Sequence, residues 1–447
     1  MANVIKLRKG LDINLKGKAT EKVSAAPASK VYGLCPDAFW GMKPKVVVHE
    51  GDVVKAGDAL FVYKQHPEVK FVSPVSGTVK LVERGDRRKV LSVQVEASAQ
   101  QEFVDFGKKD VKSLDGEQVK QALLESGLFG YFIQRPYAIV ANPEDAPKAI
   151  FISAIQDMPL AADVEVQLKG NEEDFQTGIS ALAKIAKVFL GVKAGSVAAK
   201  VQDAEITEFQ GKCPTGNVGV QINHVCPVNK GDVVWTIGAE EVVFIGRLFN
   251  TGKVDLTRTI AVAGSEIKEP QYKTVLPGAK IADIIADNVE TDKKVRIIDG
   301  NPLTGMKTSE DGFLYAHSTE VTAIPEGDDT HELFGWIAPR LNEFSVSRSY
   351  FTWLQSKKKE YVLDARVKGG HRHMIFSGEY DSVFPMDIYP EQLVKAIIAG
   401  DIDRMEALGI YEVAPEDFAV AEFVDSSKVE LQRIVREGLD MLRKENE

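Results

Sequence analysis

The chain has 447 residues, of which 44% are hydrophobic and 27% charged, with a formal net charge of −10 at pH 7. This length exceeds what one hydrophobic core supports and predicts roughly three or four domains, and the composition excludes wholesale disorder. The acidic balance argues against nucleic acid, because phosphate recognition needs a positive face. Cys35, Cys213 and Cys226 are the three cysteines, with no Cys-x-x-Cys pair, so neither a disulfide framework nor a thiolate metal site is indicated. No stretch approaches the ~20 apolar residues of a membrane span, and the first ten residues lack the apolar segment of a secretory signal. A cytoplasmic protein follows, meeting a membrane through partners.

In chain order, residues 1–105 read as short strands separated by glycine turns. Glu50-Gly51-Asp52-Val53-Val54-Lys55-Ala56-Gly57-Asp58-Ala59-Leu60 and Ser73-Pro74-Val75-Ser76-Gly77-Thr78-Val79 form two facing halves. Val53, Leu60 and Val62 are expected inward. The pattern resembles biotinyl and lipoyl domains and predicts a barrel-sandwich. Such carriers need a modified lysine at the hairpin tip, which here falls at Gln65-His66-Pro67-Glu68. Lys64 and Lys70 lie nearby without the carrier's sequence context, so a structural module is the reading. Within it, residues 33–44 form an aromatic loop. Phe39, Trp40 and Met42 either contact a ligand or another protein or pack back onto the barrel.

Residues 106–256 alternate strands and helices, as in a Rossmann-like α/β domain. Asp115 with Gln118 predicts a capped helix stopping at Gly127, and Tyr137–Val140 a strand. Between them the stretch Leu124–Tyr137 contains Glu125-Ser126-Gly127-Leu128, which resembles the entry to the flavin loop of NADH dehydrogenases. Phe129, Tyr131, Phe132 and Arg135 stand where that loop has glycines, and only glycine lets backbone close on a flavin and its phosphate. Ala149–Ile155 reads as a strand buried on both faces. A helix capped by Asn171 follows, with Ile179, Leu182, Ile185, Ala186, Phe189 and Leu190 as its apolar stripe. No Gly-x-Gly-x-x-Gly marks a dinucleotide site. Cys213, His224 and Cys226 lack a fourth ligand and read as packing rather than a metal site.

Residues 257–329 show a β-grasp pattern: strands Thr259–Ala263, Tyr272–Leu276 and Lys294–Ile298, with Ile281, Ile284 and Ile285 inward on a helix. The pattern resembles the soluble-ligand-binding β-grasp (SLBB-like) module. Residues 330–447 open with Phe334-Gly-Trp-Ile-Ala-Pro and read as a C-terminal helical domain. Ser427 and Glu430 form a capping box for the last helix, whose Leu431, Ile434, Val435, Leu439 and Leu442 make a docking stripe. His371 and His373 share a side if the chain is extended, but two imidazoles do not make a metal site. The cluster Lys357, Lys358, Lys359 is read as a solvated loop, with contact to an acidic partner as the alternative.

Over nearly its full length this α+β multidomain order resembles the NqrA family, the A subunits of the bacterial Na(+)-translocating NADH:quinone oxidoreductase. Arg247-Leu-Phe-Asn-Thr-Gly-Lys, Phe334-Gly-Trp-Ile-Ala-Pro and Phe384-Pro-Met-Asp-Ile-Tyr-Pro carry the resemblance. The chain is more distantly similar to the flavin-carrying NADH-binding subunit of complex I and to the C subunit of the Rnf complex, the ferredoxin:NAD electron-transport complex. In the Rnf protein a cysteine ligand to an iron–sulfur cluster stands where this chain has Phe384, and a cluster needs thiolates. The resemblance implies a peripheral subunit on the cytoplasmic face of the bacterial inner membrane, docked on the integral-membrane B subunit. It would bind no flavin or cluster tightly, with FAD, FMN and iron on other subunits, and would not be catalytic alone. Quinone is the implied ligand, with Phe129, Tyr131, Phe132, Arg135, Phe39, Trp40 and Met42 as candidates for contact with quinone or with another subunit. An assembly scaffold, a self-contained flavin NADH dehydrogenase and a carrier modified at Lys64 or Lys70 are the alternatives.

Overall fold

Two short sheets built from residues 31–97 share one core in the computed structural model, which describes residues 3–290, 292–328, 334, 337–346, 350–356 and 358–446. One sheet holds Val31–Leu34, Val90–Ala97, Gly77–Arg84 and Val53–Val54, and the other Pro44–Val46, Ala59–Tyr63 and Lys70–Val72. Leu60 and Val62 point inward as expected, but Val53 is 81% exposed and Val54 takes the inner place. The turn before it is anchored by Asp52, whose carboxylate accepts from the His49 amide at 2.7 Å. With a side-chain period of two, a register offset of one residue reverses which valine is buried.

Residues 3–25, grouped with the barrel on sequence, leave it. Asn3–Lys6 forms a parallel edge of a seven-stranded sheet beside Glu205–Gln210, and Thr20–Ala25 an edge of a six-stranded sheet beside Gln271–Val275. The seven-stranded sheet runs Asn3–Lys6, Glu205–Gln210, Val188–Val192, Ala149–Ser153, Val234–Gly238, Ile133–Arg135, Ile139–Val140. Its first five strands are parallel, which puts the apolar run from Ala149 between two neighbours and covers it on both faces.

The helix expected to reach Leu190 spans Glu172–Ile185, and Phe189 and Leu190 lie in the strand Val188–Val192. Pairing with strands on both sides outweighs the helical spacing that continued through them. Asn171 makes no side-chain cap and instead accepts from Arg247 at 2.9 Å. This helix crosses Ala239–Thr251 closely enough to require two glycines. A Cβ on Gly246 would sit 1.8 Å from the Asp174 carbonyl oxygen, and one on Gly178 2.2 Å from that of Val242.

The six-stranded sheet runs Met306–Thr308, Val295–Asp299, Glu320–Pro325, Arg258–Ala263, Gln271–Val275, Thr20–Ala25. Its helix Ile281–Ile285 buries Ile281, Ile284 and Ile285 as the spacing predicts. The C-terminal helices Glu379–Val383, Pro390–Ala399, Ile402–Ala407, Ala419–Val424 and Leu431–Asn446 form a separate core. The stripe of the last helix is buried there. Its first turn opens from Glu430, whose carbonyl accepts from Ile434 at 3.1 Å, while the Ser427 amide donates to Asp425, so Ser427 is not the cap. Ahead of these helices the described part of residues 330–378 includes the 3-10 turn Phe351–Leu354. Gly335 and Trp336 of the motif at Phe334, and Lys357 of the lysine cluster, lie outside the described residues. Among the described residues no helix is long and apolar enough to cross a membrane.

Candidate functional site

Asp115 and Gln118 form the predicted capping box of the helix Gly116–Ser126, and Gly127 ends it with a φ of 76°. A 3-10 turn, Leu128–Tyr131, then carries the chain into the strand Ile133–Arg135. Of the strand predicted at Tyr137–Val140 only Ile139–Val140 forms. Pro136 has no amide for the ladder, and Tyr137 and Ala138, with φ of 81° and 48°, turn the chain back into Ile139–Val140.

This stretch is closed. Phe129 and Phe132 are fully enclosed, stacked on each other at 5.4 Å and meeting the Trp235 ring at 5.2 and 5.6 Å. Tyr131 is buried against Phe39, Phe244 and His317 at 5.9, 6.0 and 5.3 Å, and burial holds its hydroxyl well above the ordinary range. Arg135 is 2% exposed and donates to Glu416 at 2.6 Å, with Asp417 3.7 Å away. Burial pushes the Asp417 carboxyl up to about 6 against the pull of Arg135. Four of the seven candidate residues therefore present no surface to a ligand or to another protein: their side chains fill the core between the α/β sheet, the barrel and the C-terminal helices.

The other three line a cleft. Phe39, Trp40 and Met42 border a cavity of about 570 Å³ between the aromatic loop, the barrel and the last helix. Phe39 and Met42 form its inner wall, at 3% and 9% exposure, and Trp40 its rim at 51%. Trp40 lies under the Arg436 guanidinium at 5.1 Å, and Arg443 donates to the Gly41 carbonyl at 3.1 Å, so the last helix clamps the loop. Lys43, Lys89 and Lys444 complete a cationic border in which Lys89 pairs with Asp37 at 2.7 Å. Flat apolar walls with a few convergent donors suit a planar, carbonyl-bearing ligand.

Behind Phe39 lies a buried charge cluster. His317 meets the Phe39 ring at 5.4 Å, and its Nδ1 is 3.9 Å from Glu241. Arg258 is wholly buried between Glu241 at 2.9 Å and Glu240 at 3.1 Å, and also donates to the Ala316 carbonyl. Glu240 accepts from the Thr259 amide at 2.7 Å, which fastens the α/β unit to the six-stranded sheet. Burial pushes the Glu240 carboxyl up to about 7, outweighing Arg258, and Asp299 up to about 6, and it lowers the His317 imidazole. Sequence reasoning missed this group, because Glu240-Glu241 at a helix start looks like ordinary compensation of the helix dipole. It missed Arg436 and Arg443 as well, which are charges on the solvent side of the last helix's stripe.

The remaining residues singled out on sequence are separate from the cleft. Cys213 is buried with its sulfur 3.6 Å from that of Met158, and the His224 Nε2 meets the Pro385 carbonyl at 2.8 Å. His371 is exposed beside the Lys428 carbonyl at 3.1 Å, and His373 is exposed too. Among the described residues no group of three or more His, Cys, Asp or Glu could hold a metal ion. Lys64 is exposed, while Lys70 donates to the Glu125 carbonyl at 3.4 Å. Phe384 is buried against Phe418 at 4.8 Å, filling the core of the helical unit.

Barrel, seven-stranded α/β sheet and six-stranded sheet place the chain in a class of three-module proteins that family models describe. Residues 5–98 match the NqrA N-terminal barrel-sandwich hybrid domain, residues 114–254 the NqrA second alpha/beta domain, and residues 259–310 the NQRA C-terminal domain. The A subunit of the Na(+)-translocating NADH-quinone reductase of Haemophilus influenzae (strain 86-028NP) is 35% identical over 451 residues, covering 99% of this chain and 100% of the relative. Its counterparts from Neisseria meningitidis serogroup B and Mannheimia succiniciproducens are each 35% identical with the same coverage. The chain belongs to the NqrA family, the A subunits of Na(+)-translocating NADH-quinone reductases, as the motifs at Arg247, Phe334 and Phe384 imply. A solved NAD+-reducing [NiFe]-hydrogenase in the air-oxidized state is similar over 47% of each chain, at 14% identity and a TM-score of 0.34.

Proposed function

We propose that this chain is the peripheral subunit of a Na(+)-translocating NADH:quinone reductase on the cytoplasmic face of the bacterial inner membrane, docked on the integral-membrane B subunit. In this reading it contacts the quinone headgroup in the cleft of Phe39, Trp40 and Met42 and holds no flavin or iron–sulfur cluster, leaving FAD, FMN and iron to other subunits. Electron transfer then runs elsewhere, and this chain positions or shields the quinone.

The observation that supports the reading is the cleft. Its inner wall is apolar and its lining includes Arg443 and Lys43, the donors that this reading assigns to the quinone carbonyls. Tyr131 contributes by supporting Phe39, and Phe129, Phe132 and Arg135 by filling the core nearby, rather than by contact with the ligand.

Titration of the purified chain with a short-chain ubiquinone, followed by calorimetry and tryptophan fluorescence, tests this directly. Saturable binding is expected, weakened roughly tenfold by Trp40→Ala combined with Met42→Ala, as removal of apolar anchors from a pocket does. Binding that is absent, or equal in the variant, would leave a scaffold role and overturn quinone contact. Stoichiometric flavin or iron in the purified chain would overturn the cofactor-free part.

A further inference from the structure

Away from the cleft, large apolar side chains are left in solvent along one stretch. Phe334, Ile337, Leu341, Phe351, Trp353 and Leu354 are each between 50% and 66% exposed. Isolated exposed leucines or phenylalanines are ordinary, but six within 21 positions are not. The 3-10 turn Phe351–Leu354 explains part of the pattern: it turns Thr352 inward, at 4% exposure, and its three large residues outward. The segment is held in place, because Phe344 packs inward on Tyr361 at 5.3 Å and on Phe423 at 5.7 Å. Lys359 ties its two limbs together by donating to the Leu341 carbonyl at 2.7 Å and to Asn342 at 3.0 Å. Leu341 and the turn therefore sit in one neighbourhood.

The charge of the same stretch is opposite to that of the chain. Positions 334–373 carry eight Lys or Arg against three Asp or Glu, in a protein of net charge −10. The acids Glu343 and Asp364 are engaged by Lys368 and Arg366, and Lys358 stands exposed beside the turn.

We propose that Leu341, Phe351 and Leu354, with Lys358 beside them, form a contact surface for an anionic bilayer, the apolar side chains entering the headgroup boundary and the Lys358 ammonium meeting lipid phosphate. Two considerations favour lipid over a protein partner. Lysine is depleted from the cores of protein interfaces but is the usual companion of Phe, Trp and Leu in interfacial anchors. Apolar groups exposed on a turn suit a fluid surface that closes around them, and a nearby cation adds attraction to an acidic leaflet. The surface is distinct from the quinone cleft and stands whether or not that cleft binds quinone. It gives the chain a direct hold on the membrane in addition to any through partner subunits.

Sedimentation of the full chain with vesicles of phosphatidylethanolamine and phosphatidylglycerol, against vesicles of phosphatidylcholine alone, tests the proposal. Retention by the anionic vesicles only is expected, falling as salt is raised. Phe351→Ser with Leu354→Ser, and separately Lys358→Glu alone, are each expected to lower the partition, the first about tenfold and the second several-fold. Phe351, Leu354 and Lys358 are exposed, so circular dichroism and the thermal midpoint should stay as in the parent chain. No retention by anionic vesicles, or retention unchanged in both variants, overturns the proposal. Self-association that depends on Phe351 and Leu354 while vesicles are ignored overturns it in favour of a second copy as the occupant.

Discussion

Phe129–Arg135 and Phe39–Met42 carry the same kinds of side chain and touch each other through Tyr131 and Phe39, yet one is closed and the other open. In the first, two phenylalanines and an arginine end within a few per cent of full burial, wedged against Trp235 and Glu416. In the second, the last helix reaches across the loop and leaves a cleft with Trp40 at its rim. Aromatic and cationic residues serve a core and a binding wall equally well. What separates the cases is how many elements converge on them, and three modules converge on the first.

The closed side should be costly to disturb. Arg258→Ala would leave Glu240 and Glu241 buried without their cation, and a loss of about 4 kcal/mol in urea unfolding is expected. Phe132→Ala should cost a comparable amount, about 4 kcal/mol, because its fully packed surroundings cannot collapse into the cavity. Either variant retaining parental stability would show the stretch to be looser than its burial implies.

The pH dependence is the next effect in size. Glu240 is raised in the folded chain from an ordinary 4.5 to about 7. The unfolded chain releases its proton first, so stability is greatest below pH 4.5, declines between 4.5 and 7, and is lowest above 7 as far as this group is concerned. The shift is worth about 3 kcal/mol. Asp299, raised from 3.8 to about 6, acts in the same direction over a lower window. Thermal midpoints should therefore fall from pH 5 to pH 7, and Glu240→Gln should flatten that slope. A midpoint rising over this range would place the cluster's charges differently.

The smallest effect on stability belongs to the open side. Trp40→Ala removes a half-exposed ring and its contact with Arg436, and should change stability by less than about 1 kcal/mol while weakening the quinone titration. A large stability loss would mean that the cleft is part of the core after all.

Much of the local structure was legible in the chain. The capping box at Asp115, the helix stop at Gly127, the buried strand from Ala149 and the inward isoleucines of Ile281–Ile285 follow from spacing and turn chemistry. Phe189 and Leu190 look helical on spacing alone, because their strand character shows only when neighbours supply hydrogen bonds on both sides. The candidate site was half legible. Phe39, Trp40 and Met42 stand out as a loop on a rigid barrel. The clamp by Arg436 and Arg443 joins residues about four hundred positions apart, and no local pattern announces it.

The sequence by itself determined the modules, their order and the family, because alternation, capping and short motifs act over a few residues. Only the tertiary structure decided that residues 3–25 edge two distant sheets, that Arg258 is buried between two carboxylates, and which aromatic stretch faces solvent. The physical reason is common to all three: burial and pairing are properties of what surrounds a residue, and the surroundings here come from parts of the chain far away in sequence.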